Sequence, residues 1–347
     1  MFATQLNRCL MKVKKILLVG GCGFIGHNLA IKLKNDGHNV TVVDSLSVNN
    51  LLSFTDKDIV NKKLYVKILN NRIDLLNQNG IELIIEDSRE HHQMSKIFDK
   101  IKPDIVIHLA AVSHAAKSNK EPHTTFDNSL RTLETTLDNA KNINSHVIYL
   151  SSSLVYGNFK SDHVDENSIC EPIGIYGNLK LAGELMVKSF NQVFDLPYTI
   201  VRPSALYGER CVSRRVGQIF IENAIQDLDI NISGDGEEKL DFTYINDLIE
   251  GISLCCVNKN ALNQIFNITY GNARKISDLA EILIQNFPSI KINYIARDKL
   301  MPKRGTLLNV KSRDLLKFNP AYKIEEGYTK YIDWYQNFWE KQMSHEN

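Results

Sequence analysis

Five short runs in the first 150 residues are apolar almost throughout: Ile16–Gly20 (ILLVG), Val40–Asp44 (VTVVD), Leu83–Ile85, Ile105–Ala111 (IVIHLAA) and Val147–Ser151 (VIYLS). A strand with one wet face alternates apolar and polar residues. A continuous run instead predicts a strand covered on both faces, the condition of a parallel sheet. Helical periodicity fills the gaps, from the glycine-rich turn to about Asn35 and again over Thr124–Lys141. Strands alternating with helices predict an α/β fold, a doubly wound parallel sheet.

The C-terminal third is patterned differently. Its strands are shorter, turn signals such as Gly234-Asp235-Gly236 are scattered, and helical stretches fall at Asp247–Cys256 and Ser277–Phe287. This predicts a smaller C-terminal α/β lobe packed on the first. Residues 1–14 read as an extension ahead of the first strand and 15–180 as the larger domain. Residues 181–347 form mainly the lobe, with the chain returning to the sheet within about 181–270. A cleft between two such lobes is a common place for a ligand. Near the end, Tyr331, Trp334, Tyr335, Phe338 and Trp339 have helical spacing and are expected in a core or an interface.

Composition narrows the function classes. The 347 residues carry 41 Lys+Arg against 40 Asp+Glu, a net charge of +1, which argues against a broad basic face for nucleic acid. No run of 18 apolar residues occurs, so no membrane span is expected. Six cysteines are scattered without a C-x-x-C pair and read as inert thiols of a reducing compartment. His91-His92 read as solvated and His108 as a packed core residue; with no H-E-x-x-H or Cys/His spacing, no metal is expected. The start, MFATQLNRCLMKVKK, has no apolar core of a secretory signal. A cytoplasmic protein is the plainer reading, an organelle leader the alternative, since Asp36 is the first acidic residue.

Chemistry enters at the turn after the first strand. In Gly20-Gly21-Cys22-Gly23-Phe24-Ile25-Gly26 the glycines Gly20, Gly23 and Gly26 have GxxGxxG spacing. Such a turn lets backbone approach a pyrophosphate closely, and the helix behind it offers N–H donors and the positive end of its dipole. Asp44 ends the second strand. A carboxylate there accepts the adenosine ribose hydroxyls and repels a 2′-phosphate, so the pattern predicts NAD rather than NADP.

A second constellation lies further on. Tyr176-Gly177-Asn178-Leu179-Lys180 puts Tyr and Lys at i and i+4, on one face of a helix. An ammonium beside a phenol favours phenolate, which predicts a lowered pKa for Tyr176 and a general-base role. YxxxK is common on solvated helices, and its position is what gives it weight. It follows the fifth strand, which ends in Ser151-Ser152-Ser153-Leu154-Val155-Tyr156-Gly157. Hydroxyls at the carboxyl end of a parallel strand face the ligand crevice.

From about Lys15 to Trp339 the chain resembles the extended short-chain dehydrogenase/reductase family. The similarity is to its NAD-dependent nucleotide-sugar epimerase/dehydratase branch, near the UDP-glucose 4-epimerases. The matching stretches are GGCGFIG (20–26), PDIVIHLAA (103–111), SSSLVYG (151–157), YGNLK (176–180) and RPSALYG (202–208). GDGEEKLDFTYINDL (234–248), FNITYG (266–271) and GYTKYIDWY (327–335) continue it. The resemblance implies a Rossmann sheet holding NAD, with Ser152, Tyr176 and Lys180 catalytic. It implies cofactor contacts from Gly20, Gly23, Phe24, Ile25, Gly26, Asp44, Tyr176 and Lys180. Asp87 and Ser88 then lie beside the adenine, Leu109, Ala110 and Ala111 under the cofactor, and Lys117 and Asn128 nearby. Ser153 and Arg202 are assigned to the substrate, and helices near 124–141 and 177–194 to a homodimer.

Four departures from the family pattern matter. Val19 replaces a common Thr, which affects only local packing. Ala205 replaces the Asn of R-P-x-N-x-Y-G, removing an amide expected near the sugar diphosphate. Leu240 replaces an Arg that commonly contacts a phosphate, so Lys239, Arg214, Arg215 or Arg304 is expected to supply that charge. Ser153-Leu154 stand where 4,6-dehydratases carry Asp-Glu, which disfavours dehydration. The implied activity is epimerisation of a nucleotide-diphosphate sugar at C4, by transient oxidation and hydride return to the opposite face. The alternatives are an NAD(H)-dependent 4-keto-sugar reductase, a dehydratase, and a non-catalytic NAD sensor.

Overall fold

Seven parallel strands form the central sheet: β1 (Lys15–Val19), β2 (Asn39–Asp44), β3 (Glu82–Ile85), β4 (Ile105–His108), β5 (His146–Leu150), β6 (Tyr198–Arg202) and β7 (Gln264–Asn267). They run in the order β7-β6-β5-β4-β1-β2-β3. The order reverses between β1 and β4, and at such a switch point a crevice opens outside the carboxyl ends of the strands. The coordinates are a computed structural model that describes residues 12–54, 59–113, 115–296 and 301–343. The reading of residues 1–10, with Cys9, lies outside them.

The unbroken apolar runs follow from two covered faces. Ile16 and Leu18 of β1 pack with Leu29 and Leu33 of α1 (Phe24–Asn35), Leu69 of α2 (Lys62–Gln78) and Leu248 on a later helix. Leu17 and Val19 pack on the other face, with Phe98 of α3 (His91–Ile101), Leu137 of α4 (Thr132–Ile143) and Val187 of α5 (Gly174–Phe194). Val19 is fully buried there, a packing role only.

Toward the C-terminus, α6 (Val216–Ile225), α8 (Ile276–Asn286) and α9 (Ile324–Met343) pack on one another, while α7 (Ile245–Val257) carries Leu248 against α1. Tyr331 and Tyr335 of α9 are fully buried, with Trp334, Phe338 and Trp339 packed partly buried against the same core, as their spacing predicts; Tyr328 is fully buried beside them. One buried carboxylate ties these helices to α2: Glu222 accepts from Tyr65 Oη at 2.6 Å, Gln218 Nε2 at 2.7 Å and Tyr335 Oη.

Two elements differ from the sequence reading. The run Ile105–Ala111 pairs only as far as His108; Leu109, Ala110 and Ala111 leave the sheet and line the crevice. The helix expected over Thr124–Lys141 contains a π turn, Asp127–Arg131, between Pro122–Phe126 and α4. Side chains compete with the backbone there, Asn128 Nδ2 donating to Thr124 O at 2.8 Å and Thr132 Oγ1 to Asn128 O at 3.1 Å. Such turns cluster at functional sites, and Asn128 and Thr132 both line the crevice.

Candidate active site

The glycine turn is shaped by close backbone approach. Gly20 has φ +77°, and a Cβ on it would meet Ala110 N at 2.6 Å; a Cβ on Gly26 would collide with the Gly21 carbonyl. Both positions therefore require glycine. Gly23 opens outward, its nearest neighbour being Gly20 O at 3.4 Å. Asp44 pins the turn, accepting from Cys22 N at 2.9 Å and from Leu46 N at 2.8 Å. Burial pushes the Asp44 carboxyl up, and the two N–H donors and the Arg72 charge oppose it. Burial also drives the Cys22 thiol up to about 12, which keeps it inert.

Twelve residues assigned from sequence line one crevice: Gly20, Gly23, Phe24, Ile25, Gly26, Asp44, Asp87, Ser88, Leu109, Ala110, Ala111 and Asn128. Asp87 is held by Arg89, with Nε–Oδ1 3.0 Å and Nη2–Oδ2 2.6 Å, which keeps its carboxyl below the usual range. Arg89 also pairs with Asp127 of the π turn, tying β3 to the crevice wall. A glycine turn at a helix N-terminus, a carboxylate ending β2 and polar groups ending β3 together fit a dinucleotide. Lys117 does not join them; it sits on the short helix Ala115–Lys120, off the lining.

Ser152, Ser153, Tyr176 and Lys180 line a second cavity of about 500 Å³, whose rim at Ile25, Leu109, Ala111, Ser113 and Arg215 is shared with the crevice. Strand and helix converge there: Ser152 follows β5, and Tyr176 and Lys180 face it from α5. Lys180 Nζ donates to Leu150 O at 2.6 Å and lies 5.1 Å from the Tyr149 ring centre. Burial pushes Lys180 down to about 8, and Glu184 opposes the drop. Tyr176 corrects the sequence expectation of a lowered phenol. Burial pushes it up, and the opposing influences are the Arg215 charge and the Ser152 side chain. The physical reason is that the Lys180 ammonium is engaged by the Leu150 carbonyl, while the phenol has lost hydration.

The substrate assignments divide. Arg214, Arg215 and Arg304 line the second cavity, as does Leu240. Lys239 is exposed on the strand Lys239–Leu240, and alternation along that strand turns Leu240 inward. Arg202 is corrected as well. It is 3% exposed, off the cavity, and forms a bidentate pair with Glu184. Ala205, which replaces the expected Asn, has φ +33°.

His108 is buried, its Nδ1 3.0 Å from Thr136 Oγ1, and is pushed to about 3 by burial and the Lys180 charge. His91 sits at the surface beside Asp138. Among the described residues, no His/Cys/Asp/Glu group could hold a metal, the five cysteines are free, and no helix is long and apolar enough to cross a membrane.

Two buried charged residues at or behind the site escaped the sequence reading with a signal in plain view. Arg72 lines the crevice from the buried stripe of α2, next to Ile68, Leu69 and Leu76, where an apolar residue is the rule. Glu184 extends the Tyr176, Lys180 spacing by one more turn.

Comparison with known proteins agrees with this geometry. The model of the NAD dependent epimerase/dehydratase family matches residues 16–269. A putative UDP-glucose 4-epimerase of Methanocaldococcus jannaschii is 28% identical over 333 residues, covering 93% of this chain and 98% of that protein. The human dTDP-D-glucose 4,6-dehydratase is 27% identical, with 94% and 91% covered. Among solved structures, UDP-glucuronic acid 4-epimerase from Bacillus cereus, in complex with UDP-glucuronic acid and NAD, superposes with a TM-score of 0.83. It is 27% identical, with 93% of this chain and 99% of that chain covered. The match runs unbroken through the glycine turn, the sheet and the Tyr–Lys helix, so this chain belongs to the NAD-dependent epimerase/dehydratase family of enzymes.

Proposed function

We propose that the protein is a nucleotide-sugar 4-epimerase, acting on a hexose linked to a nucleoside diphosphate. The charge inventory of the larger cavity carries this reading. Among the described residues that line it, the charged ones are Lys180, Arg214, Arg215 and Arg304, and none is a carboxylate. Four cations lining the same cavity as Ser152 and Tyr176 favour a polyanionic sugar diphosphate. The same inventory speaks against dehydration, because removing water from C5–C6 needs an acid–base pair where Ser153 and Leu154 stand. The names of the Methanocaldococcus jannaschii and Bacillus cereus relatives support the 4-epimerase class.

Bound NAD supplies a reversible hydride acceptor and a positively charged ring, so the overall reaction is redox-neutral. Tyr176 takes the proton of the sugar C4 hydroxyl as that carbon is oxidised and returns it when the carbon is reduced. Ser152 hydrogen-bonds the same oxygen. Lys180, anchored by the Leu150 carbonyl, would hold the cofactor ribose. Arg214 and Arg304 grip the diphosphate while the 4-keto sugar turns to present its other face.

The active unit in this reading is a cytoplasmic homodimer joined through the helices near 124–141 and 177–194, the latter exposing Leu185, Val193 and Phe194 on α5. The test is incubation with NAD and a panel of UDP-, dTDP-, GDP- and CDP-hexoses, followed by NMR and nicotinamide absorbance. A C4-inverted product without net NADH is the expected result. A stoichiometric change in NADH, or a 6-deoxy-4-keto product, overturns the reading.

A further inference from the structure

Arg202 leads to a residue with no assigned role. Glu184 lies one turn beyond Lys180 and two beyond Tyr176, so all three share one face of α5. Its carboxylate is fully buried and takes two bonds from Arg202 at the end of β6, Nε–Oε1 2.9 Å and Nη2–Oε2 2.7 Å. The Ser151 hydroxyl, at the end of β5 and next to Ser152, donates to the same Oε1. Arg202 Nη1 in turn donates to Tyr156 Oη at 3.0 Å, and Tyr156 Oη to Asn267 Oδ1 of β7 at 2.8 Å. One carboxylate therefore links the helix of Tyr176 and Lys180 to three neighbouring strand ends. A buried ion pair contributes little net stability over an apolar substitute, while fixing register is a role such pairs are known to serve.

We propose that Glu184 is a positioning residue: it sets the register of the Tyr176–Lys180 face of α5 against Ser152 and supplies the negative charge that keeps Lys180 protonated. The ionisable groups around Lys180 are Tyr176 and Glu184 on its own helix, Tyr149 on β5 and His108 on β4, with Arg202 of β6 beyond Glu184. Of these, Glu184 is the carboxylate. Burial has already driven the amine down to about 8, and the Glu184 carboxylate is what opposes that drop. Without that charge the amine loses its proton at a lower pH.

The proposal rests on the epimerase reading for its turnover readout only. Its first readout is independent: brief acetic anhydride pulses on the full chain across a pH series, with acylation of Lys180 quantified by mass spectrometry. Added NAD is expected to protect Lys180. Glu184→Gln is expected to lower the labelling midpoint by about one pH unit, a tenfold rise in neutral lysine at a given pH. The alkaline limb of kcat should move with it while KM stays in place. Glu184→Asp keeps the charge but shortens the reach, so kcat should fall with the midpoint unmoved. Because Glu184→Gln leaves Arg202 buried and uncompensated, the double variant Glu184→Gln/Arg202→Gln provides a folded alternative, again with a midpoint below wild type. An unmoved midpoint in a folded Gln variant overturns the proposal. A shifted midpoint in a protein that turns over no nucleotide hexose overturns the epimerase reading alone.

Discussion

The crevice at the glycine turn is shaped by backbone, and the adjoining cavity is lined by charged side chains. In the crevice, Gly20 and Gly26 bring chain segments closer than any Cβ permits, and Asp44 spends both oxygens on backbone N–H groups of the turn. In the cavity, Arg214, Arg215 and Arg304 present guanidinium groups from loops, and non-glycine residues with positive φ occur at Ala205 and Arg214, with φ of +33° and +49°. A backbone-built site is specified by local spacing and tolerates little change. A site built from long side chains on loops can be re-specified one residue at a time, which accommodates Leu240 where the family resemblance implies an Arg.

The largest expected effect lies where the two regions meet. Tyr176→Phe should lower kcat about a thousandfold, ~4 kcal/mol of barrier, with NAD affinity retained in a fluorescence titration. Turnover at wild-type rate breaks the assignment of Tyr176.

A pair of variants sharpens the contrast next. Gly20→Ala forces a Cβ against Ala110 at a positive φ and should cost about 2–4 kcal/mol in denaturant unfolding, together with NAD affinity. Arg304→Ala should leave NAD affinity alone and weaken nucleoside diphosphate binding about tenfold or more, the ~1.5–3 kcal/mol of a charged hydrogen bond. Calorimetry with NAD and with UDP separates the two, and equal losses in both variants would merge the regions into one site.

His108, behind the reactive set, gives a pH test. Its imidazole is held at about 3 in the folded chain and returns to about 6.5 on unfolding. The unfolded chain therefore binds more protons, and this contribution is complete above about pH 6.5 and lost as the pH falls toward 3. Replacing His108 with Gln should flatten the acid slope of unfolding free energy by about 1.4 kcal/mol per pH unit within that window. Urea melts at pH 4, 5 and 6 read it, and an unchanged slope contradicts a neutral buried histidine.

Ala205→Asn has the smallest expected effect. Asn adopts positive φ more readily than Ala, so stability should rise by up to about 1 kcal/mol. The restored amide should also tighten nucleotide-sugar binding, as titration would show. A loss of stability would place the strain at Ala205 elsewhere.

The sequence by itself determined the parallel sheet, the glycine turn with its carboxylate, and the Ser152, Tyr176, Lys180 set. Each is carried by short-range spacing: two covered faces leave unbroken apolar runs, a tight approach demands glycine, and one helical turn separates Tyr from Lys. Tertiary structure decided the rest. Arg202 matched a substrate pattern but pairs with Glu184 on a neighbouring element, and Lys239 lost its place to the outward side of a strand. Arg72 bonds the Arg210 carbonyl from a helix 138 positions away. The phenol of Tyr176 rises instead of falling because burial outweighs the charges around it. Spacing along the chain orders neighbours on one element, whereas ion-pair partners and desolvation depend on which elements meet, and only the folded chain brings those together.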